Sequence, residues 1–327
     1  MQNPTIKDIA NKAGVSTASV SRVLNKTGYI SEDLVEKVMK AVNELNYIPN
    51  NIAKSLKVQK TNTIGVIIQD ISNPFFMKIA KGIEDVLRQT EYNLLITSGE
   101  DNREKEASLL RMFTEKRVDG LILALSENHE DMLSSASKSG IPILLVDREL
   151  NLNLEVDKIT ENNYLSAYHL TEKIIKTGAK KIGVISGLPN VLIAQERYRG
   201  FVNCINDYGL PLTSDLIFEG DYSFDSGKDA INYFRSKNQL PDAIISLNNA
   251  MTNGAVTELL NQSIFDIIIG SYGEIEFQEY LPGLKIFSVI QAPYHLGKLA
   301  GQIMLERVMH TELIEKRSIV HTNSYNW

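Results

Sequence analysis

The chain has 327 residues, 43% hydrophobic and 23% charged, which is length enough for two or three domains with sizeable cores. No run of about 18 apolar residues is present, which excludes a helical membrane span, and "MQNPTIKDIANKAG" carries no apolar stretch of the secretory kind. One cysteine, Cys204, excludes an internal disulfide framework, and a net charge of −6 argues on its face against a nucleic-acid partner.

That charge is unevenly spread. Residues 1–60 hold nine Lys/Arg against five acids, a surplus of four positive charges, so residues 61–327 carry −10. The pattern is that of a basic headpiece on an acidic body.

The first 45 residues read as three short helices. Thr5 and Asp8 have capping-box spacing ahead of Ile6, Ile9, Ala10 and Ala13, and Gly14 stops the pattern as a C-cap does. Ser16 can cap a second helix, Thr17 to Leu24, with Val20, Val23 and Leu24 as its apolar face. A third opens at Ser31 with Leu34, Val35, Val38, Met39, Val42 and Leu45 as a continuous stripe. Pro49 ends it, and "NNIAKSLKVQKTNT" is a polar, basic linker too short to be a stable helix alone.

From Thr63 the texture changes. The apolar strands "TIGVIIQ", "YNLLITS", "DGLILAL", "PILLVD", "KKIGVISG", "DAIISL" and "DIIIGS" alternate with amphipathic helical segments, the signature of parallel sheets covered on both faces. Seven such units exceed one ordinary open sheet, and a split near residue 160 gives two similar halves. In that class, ligands bind outside the carboxyl ends of the strands. The ending "RSIVHTNSYNW" reads as one last strand and a short tail, with no leucine heptad. Cys204 is expected at a half-buried helix position with no base beside it.

The opening pair of helices, joined through "AGVS", has the helix-turn-helix pattern. On its second helix Thr17, Ala18, Ser21 and Arg22 fall away from the apolar face. Short side chains let a helix approach groove edges, and arginine offers two donors to guanine. Ser16, Ser19 and the helix N-terminus can hold phosphate.

"TIKDIANKAGVSTASVSRVLN", "NYIPNNIAKSL" and "TIGVIIQDISNPFF" together closely resemble the headpiece, hinge and first core strand of the LacI/GalR family of bacterial repressors. "LLVDRELN", "ERYRGF", "LNNAMTNGAV" and "QAPYHLGKLAGQIMLERV" extend the resemblance over essentially the whole chain. It implies an all-α helix-turn-helix headpiece (1–46), a hinge helix or linker (47–61) and an α/β two-lobed periplasmic-binding-protein-like core (62–327). Lobe 1 is expected at about 62–160 and 292–320, lobe 2 at about 161–291 with the C-terminal tail.

The resemblance also implies roles. Thr17, Ala18 and Arg22 become base-contact candidates. Thr5, Ser16, Ser21 and Asn25 become phosphate contacts, and Tyr47, Asn50, Ala53 and Lys57 join them at the hinge. Leu56 stands where the family inserts a leucine into the minor groove, unless it anchors on the protein's own core. For the effector the candidates are Ser72, Asn73, Phe75, Asp147, Arg148, Arg197, Asn248, Tyr272 and Gln291.

One departure stands out. Many members carry Gly-aromatic-Asp-Asp after the strand matching "DIIIG". Here the sequence is "GSYGEI", and the family's Asn-Asp is Asn248-Asn249. Unpaired Arg148 and Arg197 with fewer acids predict an anionic ligand, a sugar phosphate or sugar acid. "SYGEIEFQEYL" is similar to the fructose-repressor branch, which senses sugar phosphates.

The expectation is a cytoplasmic, nucleoid-associated, homodimeric repressor of a carbohydrate-utilisation operon, with palindromic operator DNA as partner and a sugar or sugar phosphate as effector. No cofactor, metal, membrane or catalytic activity is expected. No nucleophile elbow, Walker loop, dinucleotide fingerprint or HExxH motif occurs. Two alternatives remain: a solute-binding protein, and a catabolite-control regulator that uses a phosphocarrier protein as co-repressor.

Overall fold

The computed structural model describes residues 4–25, 27–47, 60–237, 240–275, 281, 283–310 and 315–327. Two compact units partition the chain, Met1–Thr61 and Asn62–Trp327.

In the first unit, α1 (Ile6–Ala13), α2 (Thr17–Asn25) and α3 (Glu32–Glu44) close over Ile9, Ala10, Val20, Val23, Val38, Ala41 and Val42. The Thr5 backbone N–H and hydroxyl both donate to the Asp8 carboxylate, at 2.8 and 2.7 Å, and fix the start of α1. Gly14 ends it at φ +67°, a left-handed conformation that favours glycine, and Val15 N–H reaches the Ala10 carbonyl at 3.0 Å. The Ser16 hydroxyl accepts from Ser19 N–H at 3.1 Å and starts α2. Lys12 pairs with Glu44 at 2.9 Å, tying α1 to the end of α3. The apolar stripe of α3 is narrower than expected: Val35 and Met39 are 38% and 41% exposed. The inward direction runs through Leu34, Val38, Ala41 and Leu45, which leaves those two on the flank.

The second unit contains two six-stranded sheets. The first orders as β11 (Ser318–His321), β5 (Asp157–Glu161), β4 (Ile143–Val146), β3 (Gly120–Leu123), β1 (Thr63–Ile68), β2 (Asn93–Ser98), all parallel. On one face, α4 (Pro74–Leu87) and α11 (Pro293–Met309) bury Ile79, Ile83, Leu296 and Ile303; on the other, α5 (Arg103–Glu115) and α6 (Glu130–Lys138) bury Leu110, Phe113 and Leu133.

The second sheet orders as β12 (Ser324–Asn326), β10 (Lys285–Ile290), β9 (Ile268–Tyr272), β8 (Ala243–Ser246), β6 (Ile182–Ser186), β7 (Ile217–Glu219). Its helices are α7 (Asn163–Ile175) and α8 (Leu192–Asp207) on one face, α9 (Phe224–Ser236) and α10 (Asn249–Asn261) on the other. Val/Ile-rich strands buried on both sides are what doubly covered parallel sheets require. β12 alone runs antiparallel, against β10.

The C-terminal segment therefore departs from its expected single strand and tail: β11 edges the first sheet and β12 edges the second. The chain passes between lobes three times, at Glu161–Asn163, Ile290–Pro293 and His321–Ser324. Cys204 departs too. It is fully buried, and burial pushes its thiol up to about 12, an inert group.

Candidate functional site

Two surfaces carry functional geometry, one in each unit. In the first, Val20 and Val23 bury one side of α2 while Thr17, Ala18 and Arg22 stand exposed on the other. The Arg22 carbonyl accepts from Thr27 N–H at 3.1 Å, while its side chain is exposed and, among the described residues, its guanidinium has no hydrogen-bond or ion-pair partner. Ser21 and Asn25 are engaged with each other: Asn25 Nδ2 donates to the Ser21 carbonyl at 2.9 Å and to its hydroxyl at 3.2 Å. Thr5 and Ser16 are exposed but locally bonded, to Asp8 and Ser19. Tyr47 is half-buried against the headpiece core. Asn50, Ala53, Leu56 and Lys57 lie outside the described residues.

In the second unit the loops at the carboxyl ends of both sheets meet around a cavity of about 230 Å³. Asn73, Phe75, Asp147, Arg148, Arg197, Asn248, Tyr272 and Gln291, eight of the expected residues, line it. Ser72 does not; it is exposed, and its hydroxyl donates to Asp70 at 2.7 Å. Asp101, Ile193 and Tyr222 also line the cavity, unanticipated by the sequence reading. Asp101 follows β2 in a strand-end loop, a position that could have been found. Tyr222 follows β7, whose three residues are too short to show a period.

Four lining residues, Glu100, Asp101, Asp147 and Tyr222, hold left-handed backbone at φ +57°, +49°, +65° and +70°. Non-glycine residues take that conformation at a cost, and such strain gathers where side chains are aimed at ligands.

Arg197 is a fixed part of the wall. Its Nε donates to Asn163 Oδ1 at 2.8 Å, its Nη1 to the Leu247 carbonyl at 3.0 Å, and its guanidinium stacks 3.7 Å from the Tyr272 ring centre. The Tyr272 hydroxyl donates to the same Asn163 oxygen at 3.1 Å, and burial holds its pKa well above the phenol range. Arg148 Nη1 lies 2.8 Å from Asp101 Oδ1 as an ion pair without hydrogen-bond angles. Arg148 Nε and the Tyr222 hydroxyl are buried with neither a hydrogen-bond nor an ion-pair partner. Such groups are complementary to a ligand with paired donors and acceptors. Burial raises the pKa of Asp147 against the opposing pull of Arg197 and Arg148.

The expected unpaired arginines are therefore a correction: one is bonded into the wall, the other paired. Asp70, Glu100, Asp101, Asp147 and Asp221 face the cavity against those two cations, so the lining is acidic. In "GSYGEI", a Cβ on Gly273 would come within 2.9 Å of Asn249 Cβ on a backbone at φ +107°. The glycine lets Asn249 close on lobe 1, where Asn249 Nδ2 donates to Asn73 Oδ1 at 3.2 Å across the cavity mouth.

Among the described residues, no group of three His, Cys, Asp or Glu could hold a metal, and no helix is long and apolar enough to cross a membrane.

Residues 61–322 match the family described as periplasmic binding proteins and sugar binding domain of LacI family, and residues 5–50 match bacterial regulatory proteins, lacI family. The chain is similar to the HTH-type transcriptional repressor PurR of Photobacterium profundum, 33% identical over 334 residues, covering 98% of this chain and 99% of that protein. It superposes on a LacI-family transcriptional regulator from Silicibacter pomeroyi with a TM-score of 0.83 at 24% identity, over 99% of this chain and 98% of the other. The lac repressor dimer bound to operator and the anti-inducer ONPF gives a TM-score of 0.82 at 22% identity, with coverage of 99% and 98%. These last two likenesses show the fold.

Proposed function

Because the chain belongs to the LacI family of bacterial regulatory proteins, we propose that it is a sequence-specific, dimeric transcription repressor whose grip on operator DNA is set by a small polar ligand in the interlobe cleft. Thr17, Ala18 and Arg22 read base edges in the major groove, with Arg22 supplying the most informative donors. Thr5, Ser16, Ser21, Asn25 and Tyr47, with Asn50, Ala53 and Lys57 of the hinge, position the headpiece on the backbone, and Leu56 wedges into the minor groove. Two headpieces on a palindrome give the specificity that one cannot.

The cleft residues named above bind the effector. Changing the lobe angle shifts the populations that bind DNA well and poorly. The observation that carries this reading is the convergence of residues from both sheets on one cavity in a chain whose α2 presents Arg22 exposed on its outer face. The acidic lining favours a neutral, hydroxyl-rich ligand such as a free sugar over a sugar phosphate. In the cell the protein works in the cytoplasm at the nucleoid.

Genomic footprinting of the purified full chain tests the proposal, with free sugars and their phosphates added in turn. The expected result is a discrete palindromic footprint whose occupancy changes with a neutral sugar. Protection spread without sequence preference overturns the reading, and a response to phosphates alone overturns the ligand class.

A further inference from the structure

The charged residues lining the effector cleft fall into two sets. Asp70, Glu100 and Asp221 are exposed, where water and salt screen them. Asp147, Arg148 and Arg197 are buried, and the Asp101 side chain is only 24% exposed. The inner set therefore holds two cations and two carboxyls.

The two arginines are held differently. Arg197 spends Nε on Asn163 and Nη1 on the Leu247 carbonyl, and its guanidinium lies on the Tyr272 ring. Arg148 has Asp101 instead, whose Oδ1 lies 2.8 Å from its Nη1, and the Tyr222 ring centre is 5.6 Å from its guanidinium carbon. Asp147 cannot answer Arg148 alone, because it faces both arginines.

Asp101 reaches that place on a tightly fastened loop. After β2, Gly99 N–H donates to the Ile68 carbonyl at 2.8 Å, and Glu100 N–H to the Gln69 carbonyl at 2.7 Å. The buried Gln69 side chain donates to the Ala124 carbonyl at 2.6 Å and accepts from Asp101 N–H at 3.1 Å. The left-handed backbone of Glu100 and Asp101 belongs to the same loop, and such strain persists only where the surroundings dictate the placement. Burial raises the Asp101 pKa, and Arg148 is the largest opposing influence.

Inside a partly desolvated cleft, a carboxylate beside an arginine cancels most of that arginine's pull on a third charge. We propose that Asp101 is a specificity-determining residue of the cleft: its carboxylate offsets Arg148, so that neutral, hydroxyl-rich ligands enter and phosphorylated ones are turned away. The inference rests on the carbohydrate reading of the cleft given above and names the group that sets its charge selectivity.

Calorimetry on the full chain at pH 8 tests it, with D-ribose against ribose 5-phosphate and D-glucose against glucose 6-phosphate. Inorganic phosphate, against chloride at matched ionic strength, is a further probe that needs no sugar to fit. Asp101→Asn keeps the shape and removes the charge, and should raise the preference for each phosphate-bearing probe over its neutral counterpart by about tenfold. Adding Arg148→Gln to that variant should abolish the gain. Glu100→Gln, at the exposed rim and paired with Lys105 at 2.6 Å, should give a smaller one. A carboxylate that merely holds Arg148 in place predicts another result, with sugar and sugar phosphate affinities changing alike in Asp101→Asn. That result overturns the proposal, as does an equal gain from Glu100→Gln or a gain that survives the loss of Arg148. Inorganic phosphate held no more tightly by Asp101→Asn than by the unsubstituted chain overturns it too. Failure of the carbohydrate reading looks different: Asp101→Asn gains inorganic phosphate while no sugar, free or phosphorylated, binds either form.

Discussion

The headpiece and the effector cleft treat their acids in opposite ways. In the headpiece, Asp8 is held below the usual carboxylate range by the Thr5 hydroxyl and N–H, and Glu44 by Lys12, both on the exposed surface. Around the cleft, Asp101, Asp147 and Glu161 are held above it, chiefly by burial, with Asp221 the exception, held below it against burial by hydrogen bonds from Ser223 and Ser226. One region uses its acids to fasten a small fold whose functional side chains stay loose in solvent. The other buries them where satisfaction is incomplete. Surfaces that meet a large, charged, pre-shaped partner can leave their donors free, whereas a pocket for a small molecule must be aimed in advance.

The largest expected break in that contrast is Arg197→Ala. It strips partners from Asn163, Tyr272 and the Leu247 carbonyl, and urea unfolding should show the core unit destabilised by about 3–5 kcal/mol. A loss under about 1 kcal/mol in that experiment means the cleft wall is not pre-organised. pH supplies the next test. The unfolded chain ionises Glu161 at its ordinary 4.5, while the folded chain holds the proton to about 7. Between those values the unfolded state binds fewer protons, so core stability should fall as pH rises, by on the order of 3 kcal/mol from this group. Glu161→Gln should flatten that slope.

The headpiece has the opposite sign: Asp8 and Glu44 contribute above their ordinary pKa values, and their contribution is lost as pH falls. Scanning calorimetry from pH 4 to pH 8 that finds both units moving together removes the distinction. Arg22→Ala should cost about 1–3 kcal/mol on the footprinted operator in titrations and leave unfolding unchanged, because the side chain is exposed and its guanidinium has no hydrogen-bond or ion-pair partner among the described residues. Equal loss on every DNA sequence removes its reading role. The smallest effect is Asn249→Ala, about 1 kcal/mol through the Asn73–Asn249 bond at 3.2 Å. It should alter sugar affinity in calorimetry while leaving headpiece unfolding in place.

The sequence made some parts of this legible and hid others. Strands such as "TIGVII" and "DAIISL" announce themselves because both faces are buried and every position is apolar. β5, "DKITE", and β12, "SYN", are short and polar, and edge or near-edge strands carry little hydrophobic signal. That is why the tail's split between two sheets was invisible. The cleft residues were legible wherever a strand ended in a recognisable motif, as at Asp147 and Asn248. What composition could not convey was partnership: Arg148 and Arg197 look free until Asp101, Asn163 and Tyr272 are placed beside them. Gly273 likewise looks like any other glycine until Asn249 is seen leaning over it.

The three crossings at Glu161–Asn163, Ile290–Pro293 and His321–Ser324 have a mechanical consequence. A single tether between two bodies is a swivel, free in every rotation. Three tethers at separate points remove most of those freedoms and leave a joint that rocks. The ligand then need not specify a shape for the second lobe, only a position along one coordinate. Lengthening a single tether by a residue or two should restore the lost freedoms and blur that coordinate, a signal-transmission defect in a protein that still folds and still binds.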